Sequence, residues 1–153
     1  MSETRRPNVL YLHTHDTGRY IQPYGHAIPA PHVQRLAEQG VLFRQNFCAG
    51  PTCSPSRAAL LTGQWPHSCG QLGLAHLGFE LEHPERHLAW TLRHAGYDTA
   101  LLGVQHVVRD PAATGYQRIA TGGRKVADVI PRAVEFLRHA PKDRPFFLDV
   151  GTQ

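Results

Sequence analysis

Pro7-Asn8-Val9-Leu10-Tyr11-Leu12-His13-Thr14-His15-Asp16-Thr17-Gly18-Arg19 is the stretch that decides the fold. Residues 7–13 form an apolar run of strand length that empties into a polar cluster. A strand with polar groups at its carboxyl end is the pattern of an open α/β sheet, whose ligands bind beyond that edge. Asp16 is there a candidate ligand for a hard divalent cation, and His15 beside it offers a softer donor.

Working outward, apolar strands alternate with amphipathic segments. Val33, Leu36 and Ala37 predict a helix over 31–39 stopped by Gly40, and Val41-Leu42-Phe43 reads as a short strand. A helix over 55–62, a glycine-rich loop, a helix over 86–95 and a strand over 99–103 follow. Val126, Val129, Ile130, Ala133, Val134 and Leu137 recur at helical spacing over 125–139, where Pro131 should bend the helix or mark its true start. Residues 145–151 read as the last strand. The order β-α-β-α-α-β-α-β predicts an α/β fold with a largely parallel sheet between helical layers, and no repeat, linker or domain boundary within 1–153.

Cys53-Ser54-Pro55-Ser56-Arg57 carries the chemistry. Ser54 is a suitable N-cap, Pro55 suits a first helical position, and Gly63 ends the helix. Cys53 should then sit just before a helix N-terminus, where free N–H groups, the helix dipole and Arg57 one turn along favour an anion. Cys53 reads as a nucleophile beside a site for a tetrahedral oxyanion such as sulfate or phosphate.

Cys53, Pro55 and Arg57, followed by Thr62-Gly63, resemble the Cys-x-Pro-x-Arg signature of the type I sulfatases. The segment from Thr62 to Gly70 resembles the family's Thr-Gly-x-x-Pro-His-x-x-Gly stretch, with His67 and His76 as candidate substrate contacts. The Gly-Leu-Ala-His-Leu-Gly run over 73–78 further suggests the branch that includes heparan N-sulfatase. His106 matches the histidine of the family's Gly-Lys-x-His strand end, whereas Val104 stands where the lysine would be. Asp16 matches the second of two adjacent metal-binding aspartates, and His15 departs from the first.

The resemblance implies an alkaline-phosphatase-like three-layer sandwich, incomplete at its C-terminus, with residues 1–153 forming the N-terminal portion of a sulfatase catalytic domain. It implies a sulfatase or sulfamidase in which a formylglycine-generating enzyme converts Cys53 to formylglycine. Cys53, Arg57 and His106 are then the catalytic residues, and Asp16, His15 and the converted Cys53 bind calcium, with magnesium the alternative. The expected substrate is a small aryl or sugar sulfate. Three rivals share parts of this pattern: a phosphonate monoester or phosphodiester hydrolase, a non-catalytic anion-binding fragment, and a hydrolase using an unmodified Cys53 thiol. Further ligands and cations belong to a region of the family's domain beyond Gln153, so this polypeptide alone is expected to be silent and poorly soluble.

Composition is that of a folded soluble domain, with 41% hydrophobic and 18% charged residues. The net charge of +4 comes from scattered arginines without the lysine clusters of a nucleic-acid surface, and no segment has the length of a membrane span. Met1-Ser2-Glu3-Thr4-Arg5-Arg6 lacks the apolar core of a leader, which predicts a cytoplasmic protein with free thiols at Cys48, Cys53 and Cys69. Cys48 and Cys69 read as small packed residues.

Overall fold

The computed structural model describes residues 6–153, so the leader reading rests almost wholly on positions outside the described residues. In chain order the elements are β1 (Val9–Thr14), α1 (Pro31–Gln39), α2 (Cys53–Thr62), α3 (Pro66–Cys69), α4 (Leu88–His94), β2 (Asp98–Gly103), β3 (Arg118–Ala120), α5 (Val126–Arg138) and β4 (Phe146–Thr152), with short 3-10 turns between them. They fall in two compact units. One contains the chain up to His15 and from Ala49 to Gln153; the other is Asp16–Cys48.

In the larger unit the sheet is wholly parallel, in the order β1-β4-β2-β3. The last strand thus inserts between β1 and β2, and every residue of β4 and β2 is buried. That burial explains their near-continuous apolar sequence. Alternate side chains serve opposite faces. Phe146, Leu148 and Val150 join Ala100 and Leu102 against Val129 and Ala133 of α5. Phe147 and Leu101 pack the other way, on Ala89, Tyr97 and Tyr116, and Tyr11 links that face to Ala58 and Leu61 of α2. The result is the expected three-layer sandwich. Among the described residues no helix is long and apolar enough to cross a membrane.

Several elements differ from their sequence reading. Val41-Leu42-Phe43 is not a strand: Val41 is 77% and Phe43 67% exposed. Among the described residues no strand pairs with these three, so no ladder holds them extended. Conversely, Arg118–Ala120 is a strand because Ala100–Leu102 offers it a parallel edge. In the smaller unit α1 spans 31–39 as expected, yet it buries no residue, and Val33 and Leu36 are exposed. Pro131 lies inside a continuous α5, where it and Ala127, whose carbonyl loses its usual donor, are both exposed to water. All three cysteines are free; Cys69 is packed as expected, but Cys48 is exposed.

Candidate active site

The parallel strands end at one edge. His13 of β1 and Gly103 of β2 both pair with Gly151 of β4, and the chain continues past this line as His15, Val104–His106 and Gln153. The His15 N–H donates to the Thr152 carbonyl at 2.8 Å and the Val104 N–H to the Gly151 carbonyl at 3.0 Å, fixing both exits.

Helix α2 approaches this edge with its N-terminus, one step earlier than its sequence suggests. Thr52, not Ser54, is the N-cap; Cys53 is the first helical residue and Pro55 the third. Proline is tolerated there because first-turn N–H groups have no partner within the helix. Ser54 is buried, and its Oγ accepts from the Ala75 N–H at 3.1 Å, tying the glycine-rich loop to the start of α2. Gly63 terminates the helix in the left-handed conformation, φ +67°, as its position predicts.

The loop so tethered presents His76, whose Nδ1 lies 3.0 Å from Nε2 of His106. Potential ligand atoms of His15, Cys53 and His106 lie within 4.8 Å of one another, all three residues being half-buried. His106 adopts φ +57°, a left-handed backbone that is uncommon for a non-glycine residue. The neighbouring Gln105 side chain stabilises this turn by accepting from the N–H groups of Val107 and Val108 and donating to the Val108 carbonyl. Burial first, and then the positive neighbours His76, His15, Arg57 and Arg124, lower the His106 pKa below that of an ordinary imidazole. These groups open onto a cavity of about 650 Å³, which Arg109 and Arg124 also line.

The predicted residues are therefore gathered in part. Cys53, His15, His76 and His106 meet at the cavity. Arg57 does not line it; its Nη1 reaches Nδ1 of His13 at 2.8 Å. Asp16 is the first residue of the smaller unit and has φ +61°. His67 is exposed on α3 and does not line the cavity, and Val104 is 7% exposed, a packed residue. Sequence reasoning missed the two arginines of the cavity wall and a buried polar group behind Arg57. His13 Nε2 lies 3.0 Å from Asp149 Oδ1, and the Tyr116 hydroxyl donates to Asp149 Oδ2 at 2.6 Å. The available signal was a lone carboxylate in the apolar run Phe146-Phe147-Leu148-Asp149-Val150, because a charge buried mid-strand requires partners.

The donors at the site are two imidazoles and a thiol, a set for a borderline divalent cation as it stands. An oxygen in place of the Cys53 sulfur would make the set harder.

The sulfatase family model matches residues 7–153, and the chain belongs to that family. It is 34% identical to human N-sulphoglucosamine sulphohydrolase, over 99% of this chain and 32% of that protein. It is 27% identical to N-acetylglucosamine-6-O-sulfatase of Bacteroides thetaiotaomicron, over 94% of this chain and 30% of that one. Among solved structures, a protein in complex with its substrate D-glucosamine-2-N,6-O-disulfate superposes with a TM-score of 0.84 at 24% identity, covering 97% of this chain and 34% of the other. The fold is thus that of known sulfatases, and the chain spans about a third of the length of these relatives.

Proposed function

We propose that the protein is a sulfuric ester hydrolase, a sulfatase or sulfamidase acting on a small aryl or sugar sulfate. One observation carries this reading: in a chain of the sulfatase family, Cys53 at the first turn of α2 shares a cavity with His15, His76 and His106 at the carboxyl edge of a parallel sheet. We propose further that a formylglycine-generating enzyme converts Cys53, that Asp16 and the converted Cys53 are oxygen ligands of calcium or magnesium, and that His15 occupies the position of a missing carboxylate. The converted residue supplies a nucleophilic oxygen, and the cation neutralises charge.

The chain's own residues divide the remaining tasks. Arg57, a permanent cation one turn along α2, offsets the negative charge of the transition state. His106, its positive charge disfavoured by burial and by its neighbours, hydrogen-bonds the leaving oxygen or nitrogen. Across the whole reaction one water is consumed: the bond from sulfur to the leaving atom breaks, sulfate departs, and the leaving atom takes a proton through His106. His76, in contact with His106, provides the route by which that proton is replaced. Arg109 and Arg124 favour an anionic substrate in the cavity.

The test is the full-length protein co-expressed with a formylglycine-generating enzyme, with mass analysis of the Cys53 peptide and rates on an aryl sulfate and an aryl phosphonate. An aldehyde at Cys53, faster sulfate hydrolysis, and a loss of about 10³-fold or more in Cys53→Ala are expected. The thiol beside two imidazoles favours one second reading, a thiol hydrolase. That reading replaces the first if turnover proceeds with an intact thiol and alkylation abolishes it. Faster phosphonate cleavage makes the protein a phosphonate hydrolase, and no turnover after conversion leaves an anion-binding protein.

A further inference from the structure

The cavity at the carboxyl edge of the sheet, about 650 Å³, exceeds what a sulfate group fills and has the size of a site that encloses an organic ligand. Its lining comes from elements on opposite faces of the sheet. Cys53 opens α2, which packs on the face that carries Tyr11. Arg124 stands just before α5, which covers Phe146, Leu148 and Val150 on the other face. Thr121 and Arg124 both line the cavity, so a substrate with its sulfate at Cys53 meets them with the rest of its body.

Among the described residues no aspartate or glutamate lines this cavity, and two arginines do. They differ in what already meets their charge. Arg109 Nε lies 3.8 Å from Glu80 Oε1, which also accepts from the Arg109 backbone N–H at 2.7 Å. The Arg124 side chain has no carboxylate within ion-pair distance and no hydrogen bond among the described residues. Its main chain, by contrast, is held on both sides. The Arg124 carbonyl accepts from the Gln153 N–H at 2.7 Å, and Lys125, the N-cap of α5, accepts from the Asp128 N–H at 2.9 Å. Arg132 Nη1 donates to the Gly122 carbonyl, and Gly123, at φ +82°, makes a turn in which a Cβ would lie 2.7 Å from that of Asp128. An arginine on a fixed backbone loses less freedom when a ligand binds it.

We propose that Arg124, with Thr121 in the same turn, forms a subsite for a second oxyanion of the substrate, so that the preferred substrates are sulfate esters or sulfamates whose leaving group carries a carboxylate or a further sulfate. This rests on the proposed function, which places the reacting sulfate at Cys53. A guanidinium offers a planar fork of donors that fits either oxyanion, and the threonine hydroxyl adds one donor. Glu80 already offsets the charge of Arg109, so Arg124 carries the discrimination. The second oxyanion is present before and during bond cleavage alike, so the contact strengthens binding of substrate and transition state equally and acts on KM rather than on kcat.

The experiment uses the full-length protein with Cys53 converted, and three aryl sulfates of equal shape: meta-carboxyphenyl sulfate, meta-sulfophenyl sulfate and the neutral meta-carbamoylphenyl sulfate. The parent should prefer one of the two charged substrates over the carbamoyl compound by about 10-fold or more in kcat/KM, through KM, and the larger preference names the oxyanion. Arg124→Gln, at an exposed position whose backbone bond is kept, should abolish that preference, and Arg124→Lys should retain part of it. Lys125→Gln removes the same charge from the neighbouring residue, which does not line the cavity, and should leave the preference in place. Equal kcat/KM on all three substrates, a preference that survives Arg124→Gln, or an equal fall in kcat on all three in that variant overturns the proposal; the last result would put Arg124 at the reacting sulfate. Calorimetric binding of meta-benzenedisulfonate against benzenesulfonate needs no turnover. Tighter binding of the disulfonate that is lost in Arg124→Gln upholds the subsite even in a protein that proves not to hydrolyse sulfates, whereas sulfate hydrolysis without either preference overturns the subsite and leaves the proposed function standing.

Discussion

At the scale of the residue, Cys53 draws its meaning from its place in the first turn of α2, where N–H groups without helical partners favour an anion. Its neighbours at the cavity are imidazoles, and the hard oxygen donor must come from elsewhere. Asp16 is the proposed source, and aspartate is among the residues most tolerant of the left-handed backbone seen there. Asp16→Ala in the full-length protein should lower metal affinity by more than about 10-fold and abolish metal-dependent turnover. Its unfolding temperature should fall by roughly a few degrees, because alanine is less suited than aspartate to the left-handed backbone at this position. Metal titration followed by an activity assay checks this, and unaltered affinity would remove Asp16 from the site. His15→Asp is the complement, expected to raise calcium affinity by restoring a carboxylate. The cavity residues Cys53, His15 and His106 were legible in the sequence, because each follows a strand end or opens a helix and so announces its own surroundings. The group behind Arg57 was not. His13 and Asp149 are 136 positions apart, and they meet only because β4 inserts beside β1, which no local pattern encodes.

At the scale of the element, α4 depends on a buried imidazole. His87 is the N-cap of α4, and its Nδ1 accepts from the Ala89 N–H at 3.1 Å. The residue is 1% exposed, and burial lowers its pKa from 6.5 to about 4, the Asp149 charge opposing the shift. Protonation would turn the capping acceptor into a donor facing an N–H and put a cation at the positive end of a helix. Because the folded pKa lies below the unfolded one, the unfolded chain binds more protons between pH 6.5 and 4. Stability from this group is therefore complete above pH 6.5, falls by about 3 kcal/mol as pH drops to 4, and changes no further below that. His87→Asn, which can cap without titrating, should flatten that part of the profile in urea unfolding between pH 7 and 4; parallel losses in parent and variant would exclude His87 as the cause. Legibility was uneven at this scale too. The buried strands and α5 announced themselves through long apolar patterns. The start of α2 was misplaced because Ser54 suits a cap by composition, while its hydroxyl is engaged by Ala75 of a distant loop. Val41–Phe43 and Arg118–Ala120 are three-residue runs whose state is decided by the presence of a neighbouring edge, which tertiary pairing alone supplies.

At the scale of the whole molecule, β1 forms one edge of the sheet, and its burial alternates where that of β2 and β4 does not. Leu10 pairs with Leu148 and Leu12 with Val150, so both leucines extend the face that α5 covers over β4. They lie outside that cover, at 49% and 57% exposure, and Val134 and Leu137 of α5 are also exposed. Among the described residues no strand pairs with the outer edge of β1. An open edge beside an apolar strip is a template for a second copy, and a half-exposed leucine gains about 1 kcal/mol on being covered. A net charge of +4 opposes association only weakly at ordinary ionic strength. The polypeptide 1–153 should therefore self-associate in a concentration-dependent manner in sedimentation velocity. Leu12→Lys places a charge on the strip and should shift the distribution toward monomer at equal concentration, with an unchanged far-ultraviolet spectrum. A monodisperse wild-type monomer across the concentration series would show that this edge is harmless in solution. If Leu12→Lys associates as strongly as its parent, the contact lies on another surface, and the exposed apolar residues of the smaller unit, Val33 and Leu36 on α1, become the next to substitute.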